Sequence, residues 1–282
     1  MSYRISIGVL AVALIVTTGS AQAADESKYP DWKGQWSRFA VRGLPGQPSH
    51  DQTKPWGRGQ QAPLTPEYQA ILEASIADQA NGGLGNFPTT SGRAAGMPHM
   101  MMAFIPLEFV VTPDTTYILV GMYDHYRRIF TDGRDWPKNI EPTYSGYSIG
   151  RWIDEDGDGR YDVLEVETRQ LKGPRTFDPS GVPLHTDNQT IVKERFYLDK
   201  ANPDILHDDV TTIDHALTRP WTVDKWYQRE RNPVWVEAIC SEQNDHLKLG
   251  GEDYMVSADG FIMPAKKGQA PPDLKFFNQP QK

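Results

Sequence analysis

The chain has 282 residues, with 29 Lys and Arg against 37 Asp and Glu and a formal net charge of −8. An acidic chain without a basic run offers no surface for a phosphate backbone, so nucleic acid is excluded as an expected partner. The single cysteine, Cys240, excludes a scaffold of intrachain disulfides, and we expect it to be a small buried apolar side chain.

Residues 1–23 have the pattern of a secretory signal peptide. Arg4 precedes an apolar stretch at 5–16, and residues 21–23 form the small-x-small cleavage site A-Q-A. This stretch is too short to span a membrane. We therefore expect a protein located in the periplasm or secreted, without a membrane span, whose single β-rich domain covers residues 24–282.

Two segments precede the predicted strands. Residues 24–64 are rich in Gly, Pro, Trp and charge without a sustained period, which predicts an extended arm over the body of the protein. The residues expected to pin this arm are its tryptophans, Trp32, Trp36 and Trp56. Residues 65–83 predict one short helix, because Thr65 suits the N-cap and Pro66 the first helical position.

The segment 104–250 alternates apolar and polar residues with a period of two. Turn pairs such as Pro113-Asp114 and Asp132-Gly133 separate the runs, which predicts eight or nine strands in successive hairpins. Closing such an antiparallel meander removes its exposed strand edges. The predicted fold class is therefore mainly β, a lipocalin-like barrel or a sandwich, with the Pro- and Lys-rich tail 251–282 over the surface.

The acidic loop at 154–165 has the spacing of a calcium site. It reads D-E-D-G-D-G-R-Y-D-V-L-E and matches D-x-D-x-D-G followed by Glu at position twelve. Hard oxygen ligands at this density suit calcium. Because both flanks have strand character, the loop resembles the calcium hairpins of integrin-type propellers, in which the ninth residue closes the shell and Glu165 stays in the strand. The predicted ligands are Asp154, Asp156, Asp158, the carbonyl of Arg160, and Asp162.

Calcium is the one cofactor that we expect, and no organic cofactor is predicted. The alternative is a solvated acidic hairpin tip, since D-G-D-G also favours turns. Even when bound, calcium is expected to stabilise the hairpin and not to perform chemistry.

Two His/Asp pairs are candidates for catalysis. His185 and Asp187 precede one predicted strand, and Asp214 and His215 end the next. If these strands pair across a turn near Asn202, the four side chains meet at one mouth of a barrel. Two imidazoles and two carboxylates can perform general acid–base catalysis. The alternative is that they cap strand ends and turn amides, because no nucleophile motif completes a triad.

Arginines and aromatic residues are dense enough to form a ligand site. The arginines suit a substrate carboxylate, or else pair with the surplus aspartates, and the aromatics could line a cavity or be ordinary sheet residues. The candidate ligand-binding residues are Arg128, Arg134, Tyr147, Arg219 and Trp221. The segment 97–102, M-P-H-M-M-M, suits either copper(I) or core packing.

Five short motifs follow one another along the chain. They are D-G-R at 132–134, G-x-S-x-G-x-W at 146–152, L-x-V-E-T at 164–168, E-R-F at 194–196 and P-W at 220–221. On these motifs, residues 65–270 resemble a broad family of secreted bacterial proteins that has no assigned activity, so the resemblance implies no function. The string G-Y-S-I-G also fits a nucleophile elbow, which we reject because Ser148 lies within an alternating strand.

Three hypotheses for function follow. The first is a secreted periplasmic protein that binds a small apolar or aromatic molecule and has a calcium-stabilised hairpin. The second is a lyase, isomerase or hydrolase that uses the His/Asp set, and the third and weakest is copper handling. Whether the protein is an enzyme, what its ligand or substrate is, and its oligomeric state stay open at this point.

Overall fold

The computed structural model describes residues 26–39, 54, 58–87, 89, 93–102, 106–122, 125–234 and 245–274. The predicted signal peptide, Trp56, Cys240 and the predicted strand around residues 235–242 lie outside the described residues.

Nine strands form a closed barrel in which each strand neighbours the next along the chain. They are β1 (Gln35–Phe39), β2 (Leu107–Val111), β3 (Thr115–Val120), β4 (His125–Phe130), β5 (Tyr147–Ile153), β6 (Val163–Arg169), β7 (Ile191–Leu198), β8 (Ile205–Ile213) and β9 (Trp221–Glu230). This confirms the mainly β, lipocalin-like barrel. The departure from an antiparallel meander is the pair β4 and β5, which run parallel.

The first barrel strand comes from the segment predicted to be an arm. β1 pairs with β2 on one side and with β9 on the other, so it closes the barrel. Trp36 of β1 and the preceding Trp32 are buried in the core. Residues 35–39 are therefore a structural strand and not part of an arm. This strand escaped prediction because its five residues are too few to show a period of two within a segment rich in Gly and Pro.

The predicted helix is α1 (Pro66–Ala80), and the Thr65 hydroxyl accepts a hydrogen bond from the Tyr68 amide at its start. A second, small sheet consists of β10 (His246–Leu249), β11 (Glu252–Val256) and β12 (Ile262–Pro264), so part of the predicted tail is strand. None of the helices within the described ranges combines the length and the apolar character that crossing a bilayer requires.

The strand register sets which side chains face inward. Ile191 lies opposite Ile213 and Leu198 opposite Leu206, which is the pairing that a turn near Asn202 predicts. Bulky side chains occupy the barrel interior. Among them are the fully buried Trp36, Phe196 and Tyr227.

Strand direction assigns the connecting loops to two ends of the barrel. The hairpins at 154–162 and 199–204 lie at one end, which we call the loop end. The connections at 170–190 and 214–220 lie at the other, which we call the histidine end. The two strongest predictions for functional residues therefore fall at opposite mouths of the barrel.

Candidate functional sites

The acidic hairpin joins β5 to β6 at the loop end. Asp154 accepts hydrogen bonds from the amides of Gly157 at 2.8 Å and Gly159 at 2.9 Å. Both glycines have positive φ, a conformation that L side chains rarely adopt, and this lets the chain turn back within a few residues. Asp154, Asp156 and Asp158 each offer a carboxylate oxygen within 4.8 Å of the others.

The remaining predicted ligands lie on the return side of the hairpin. Asp162 accepts from the Glu155 amide at 2.9 Å, and its own amide donates to the Ile153 carbonyl at 2.8 Å. The Arg160 amide donates to Asp158 at 2.8 Å. Glu165 lies in β6 and pairs with Arg151, as expected for a hairpin flanked by strands and not by helices.

A cavity of about 600 Å³ opens beside this hairpin. The lining includes Tyr29, Trp32, Phe109 and Arg160. The Tyr161 amide donates to the Lys28 carbonyl at 2.7 Å, so the acidic hairpin is joined to the segment that forms one wall.

Aromatic rings form a continuous cluster around this cavity. The Trp32 ring lies 5.1 Å from Phe109 and 4.9 Å from Trp152, measured between centroids. Tyr29 continues the cluster, 5.3 Å from Trp152 and 5.2 Å from Tyr161. We call this space the aromatic cavity.

Two indole N–H groups in this cluster have no acceptor among the described residues. They belong to Trp32, which is almost fully buried, and to Trp152. The contrast is Trp36, whose indole donates to the Trp32 carbonyl at 3.0 Å. A buried donor without a partner costs about 1–3 kcal/mol.

At the histidine end, the structure brings the predicted His/Asp set together. The Oδ2 atom of Asp187 lies 3.1 Å from His185 Nδ1 and 2.5 Å from His215 Nδ1. The two imidazole rings meet edge to face at 5.6 Å. Asp214 accepts from the His185 amide at 2.9 Å. We call these four residues the histidine cluster, and their catalytic role stays a prediction.

Buried groups hold the histidine cluster in place. Asp214 also accepts from the Ala216 amide at 2.8 Å and from the Thr190 hydroxyl. Arg175 donates to the His185 carbonyl at 2.8 Å. The His185 amide, the His185 carbonyl and the Ala216 amide are therefore each hydrogen-bonded to a buried side chain. These bonds limit how far the two histidines can move apart.

Asp187 is held as a carboxylate. Burial alone raises the pKa of Asp187, but hydrogen bonds from the Gln189 amide and His215 outweigh it, together with the nearby His185, so the pKa lies below its usual value. An ionised Asp187 that receives the Nδ1 proton of His215 leaves Nε2 as the basic atom of that ring.

A cleft of about 420 Å³ adjoins the cluster. Leu184 and Thr186, the neighbours of His185, line it together with Tyr68, whose ring lies 5.6 Å from the His185 ring. The His185 side chain is 33% exposed and that of His215 is 64% exposed, so both are open to solvent.

Two of the five predicted ligand-binding residues are in contact. Arg134 donates to the Tyr147 hydroxyl at 3.5 Å and forms an ion pair with Asp132 at 2.6 Å. That ion pair is the alternative that the sequence left open for the arginines. It also holds the pKa of Asp132 down, at about 2.

The other three point to different surroundings. Arg128 lies over the outward-facing Tyr117, Trp221 packs inside the barrel 4.4 Å from Phe177, and Arg219 is exposed. None of the five lines the aromatic cavity or the cleft. The structure therefore does not bring the predicted ligand-binding residues into one site.

The methionine segment is part of the core. Met97 and Met100 to Met102 are fully buried. His99 is equally buried, stacks on Phe87 and has Nδ1 2.8 Å from the Thr176 hydroxyl. Burial lowers the pKa of His99 to about 4. These contacts favour core packing over copper binding.

Sequence reasoning missed a polar network inside the barrel. Arg127 donates to both oxygens of Glu194 and to Thr168 at 2.9 Å, and its Nε lies 3.4 Å from the Ser148 hydroxyl. Glu194, Thr168 and Ser148 come from three of the quoted motifs, E-R-F, L-x-V-E-T and G-x-S-x-G-x-W. A buried arginine therefore joins motifs that lie far apart in the chain.

Asp208 and Lys225 lie opposite each other on β8 and β9, also facing inward. Neither carboxylate oxygen of Asp208 has a hydrogen-bond partner within the described part of the chain. Burial, together with the nearby Glu194, raises the pKa of Asp208 well above its usual value, and burial lowers that of Lys225 to about 8. The inward position of Asp208 follows from the alternation of Leu206 and Val210 on β8, and that of Lys225 from the alternation of Val223 and Tyr227 on β9.

No known protein-family model matches this sequence, and no curated protein matches it. The resemblance to secreted bacterial proteins and the periplasmic location therefore stay predictions.

Proposed function

We propose that the protein is a secreted, periplasmic binder of a small apolar or aromatic molecule, and that the aromatic cavity is its binding site. The observation that carries this proposal is a cavity of about 600 Å³ lined by the rings of Tyr29, Trp32 and Phe109. These rings favour an aromatic ligand by stacking.

The size of the cavity agrees with this ligand class. At about 600 Å³, it falls within the usual range of about 300–1,000 Å³ for small-molecule sites. Tyr29, Trp32 and Phe109 line it together with the apolar Pro30, Val110 and Val111. We infer a ligand of one or two rings.

Ethylbenzene and ethylcyclohexane test this specificity, since they are similar in size and only the first has an aromatic ring. We expect ethylbenzene to bind more tightly, and Phe109→Leu to weaken ethylbenzene about fivefold while affecting ethylcyclohexane less, because the variant keeps an apolar side chain and loses a ring that lines the cavity. Calorimetric titration measures both affinities.

The matched control is Phe130→Leu, because Phe130 lies outside the cavity and packs under Arg134. Equal affinity for the two probes, or an equal loss in both phenylalanine variants, would contradict the proposed role of the aromatic rings. Absence of binding by either probe would count against the cavity itself.

We also propose that the acidic hairpin binds calcium through Asp154, Asp156, Asp158, the Arg160 carbonyl and Asp162. The three carboxylates that converge within 4.8 Å support this proposal, since unscreened they repel one another. The hydrogen bonds from the loop amides to these carboxylates support the alternative, a solvated turn. Bound calcium would stabilise one wall of the aromatic cavity through the contact of Tyr161 with Lys28.

Calcium is expected to raise the melting temperature, and Asp156→Ala to abolish the rise. A ligand that binds only the folded state stabilises it by about 2.7 kcal/mol at a hundredfold excess over Kd. Differential scanning calorimetry with calcium and with chelator measures the difference. Asp259→Ala, at an exposed turn elsewhere, should keep the full response. A melting curve that is the same with calcium and with chelator would rule out the site.

A second candidate function is a lyase, isomerase or hydrolase at the histidine end. The observation that favours it is the contact of Asp187 with both His185 and His215 beside an open cleft. An ionised Asp187 orients the exposed His215 ring so that Nε2 can take a proton from a substrate bound over the cluster and return it. In this candidate Asp214 positions the backbone of His185 and takes no part in proton transfer.

The hydrolase form of this candidate is tested with 4-nitrophenyl acetate. We expect Asp187→Asn and His215→Gln each to lower the hydrolysis rate about 100-fold or more, the usual contribution of a positioned acid–base group. His246→Gln is the control, because His246 also contacts an aspartate but belongs to the small sheet. A hydrolysis rate no higher than that of free imidazole would rule out the hydrolase candidate. So would a rate that neither variant changes.

A further inference from the structure

We infer that His185, Asp187 and His215 form a binding site for a divalent first-row transition metal, and that Zn²⁺ is the ion they suit best. Two imidazole nitrogens and one carboxylate oxygen, one atom from each residue, lie within 4.8 Å of one another. The site belongs to the histidine end and is separate from the acidic hairpin at the other mouth of the barrel.

The spacing of these atoms is close to what zinc requires. Zinc lies about 2.0–2.1 Å from nitrogen and oxygen ligands, so tetrahedral neighbours are about 3.4 Å apart. The Oδ2 atom of Asp187 lies 3.1 Å from His185 Nδ1 and 2.5 Å from His215 Nδ1. His185 Nδ1 also accepts a hydrogen bond from the Asp187 amide at 3.1 Å and releases it when it binds the metal. A shift of about 1 Å in the His215 ring then reaches coordination distance.

The donor set selects the class of metal. Imidazole nitrogen suits zinc, copper, iron and nickel, whereas calcium takes oxygen ligands almost throughout. The acidic hairpin offers oxygens alone, so the two mouths of the barrel differ in the metals they suit. Zinc sites with three protein ligands keep a fourth position open, and here the cleft and the exposed His215 leave the cluster accessible.

Residues outside the donor set fix its geometry. The Gln189 amide donates to Asp187 at 3.0 Å, and Asp214 accepts from the His185 amide at 2.9 Å. Arg175 holds the His185 carbonyl. Such supporting contacts orient metal ligands, and their loss typically weakens affinity about 10–100-fold.

Metal binding is a claim separate from catalysis. It concerns the same cluster as the second candidate function, but it is measured by titration and needs no substrate. If the protein binds zinc and does not hydrolyse the ester, this inference holds and the hydrolase candidate fails. If it hydrolyses the ester and the cluster binds no zinc, this inference fails and the hydrolase candidate holds.

The experiment uses untagged protein treated with chelator and then titrated calorimetrically with Zn²⁺. We expect one equivalent to bind, and His215→Gln and Asp187→Asn each to weaken that binding at least 100-fold. Asp214→Asn should weaken it about tenfold, as a supporting residue. Titration with Co²⁺ gives a second readout, since visible d–d absorption of tetrahedral intensity should appear in the wild type and not in His215→Gln.

Two controls separate this site from other donors on the surface. His246→Gln removes a histidine that contacts one aspartate, and Asp156→Asn removes a carboxylate of the acidic hairpin. Both should bind zinc as the wild type does. Circular dichroism checks the fold of each variant, and the exposed His215 makes its variant the decisive one. Zinc binding unchanged in His215→Gln, or lost in Asp156→Asn, would overturn the inference.

Discussion

Replacing Glu194 by alanine is expected to lower the free energy of unfolding by about 3–5 kcal/mol, because it removes the carboxylate that is hydrogen-bonded to the buried Arg127 guanidinium. The side chains of both residues are almost completely inaccessible to solvent. Thr168 and Ser148 would still accept hydrogen bonds but carry no charge. Urea denaturation followed by circular dichroism measures the loss.

An exposed ion pair in the same sheet provides the control. Arg151 of β5 and Glu165 of β6 are 2.9 Å apart on the outer face. Glu165→Ala should cost no more than about 1 kcal/mol, since solvent screens the pair and hydrates the remaining charge. If Glu194→Ala and Glu165→Ala lower the free energy of unfolding equally, burial does not determine how much an ion pair contributes to stability. The double variant Arg127→Met with Glu194→Leu should recover much of the loss.

Asp208→Asn is expected to stabilise the protein, by an amount that grows as the pH rises. Below the ordinary carboxyl pKa of about 3.8, Asp208 is protonated in both the folded and the unfolded chain, so its ionisation does not change the free energy of unfolding. Above it, the unfolded chain loses the proton while the folded chain, whose pKa is raised, keeps it. The ratio of folded to unfolded wild type therefore falls by up to about tenfold for each pH unit, until the pH reaches the pKa of Asp208 in the folded state.

Asparagine does not ionise, so its variant escapes this loss. Comparison at pH 4.5, 6.0 and 7.5 follows the difference in unfolding free energy between variant and wild type. His99, whose pKa is lowered to about 4, contributes stability that is lost as the pH falls, but it does so in both proteins and cancels. Lys225 changes charge in the folded state near pH 8, above this range.

A difference that stays constant from pH 4.5 to 7.5 would contradict the raised pKa of Asp208. Asp259→Asn, an exposed aspartate in a turn, is the control and should change stability by less than about 0.5 kcal/mol at every pH. Both variants are compared with the wild type in the same buffers.

Local patterns account for most of the barrel. Alternation with a period of two, broken by turn residues, is enough to place strands such as β6, β7 and β8, because a side chain on a strand has only two faces to choose from. The Thr65-Pro66 pair places the start of α1 because capping is also a local interaction. The turn near Asn202 fixes the register of β7 against β8, and with it the meeting of His185, Asp187, Asp214 and His215.

Interactions between distant segments were beyond these patterns. β1 is a strand because β2 and β9 offer two free edges to a short segment whose composition resembles a loop. β4 and β5 run parallel because residues 131–146 cross between them, and the sequence of that segment does not specify its path. The aromatic cavity likewise combines residues near 30, 109 and 160, which come together only when the barrel has closed.

Sequence alone determined that this chain is a mainly β run of hairpins, closed as a barrel or folded as a sandwich, and that it carries an acidic turn with calcium spacing. It also predicted that two histidines and two aspartates meet if β7 and β8 pair across the turn near Asn202. These features depend on residues within one turn or one pair of adjacent strands. Only the tertiary structure decided that Arg127 and Glu194 pair inside the barrel, that the buried Asp208 has no hydrogen-bond partner among the described residues, and that Trp32 lines a cavity. The burial of a polar side chain and its hydrogen-bond or ion-pair partners depend on the closed barrel as a whole. Together they determine whether the side chain is charged and how much it stabilises or destabilises the fold.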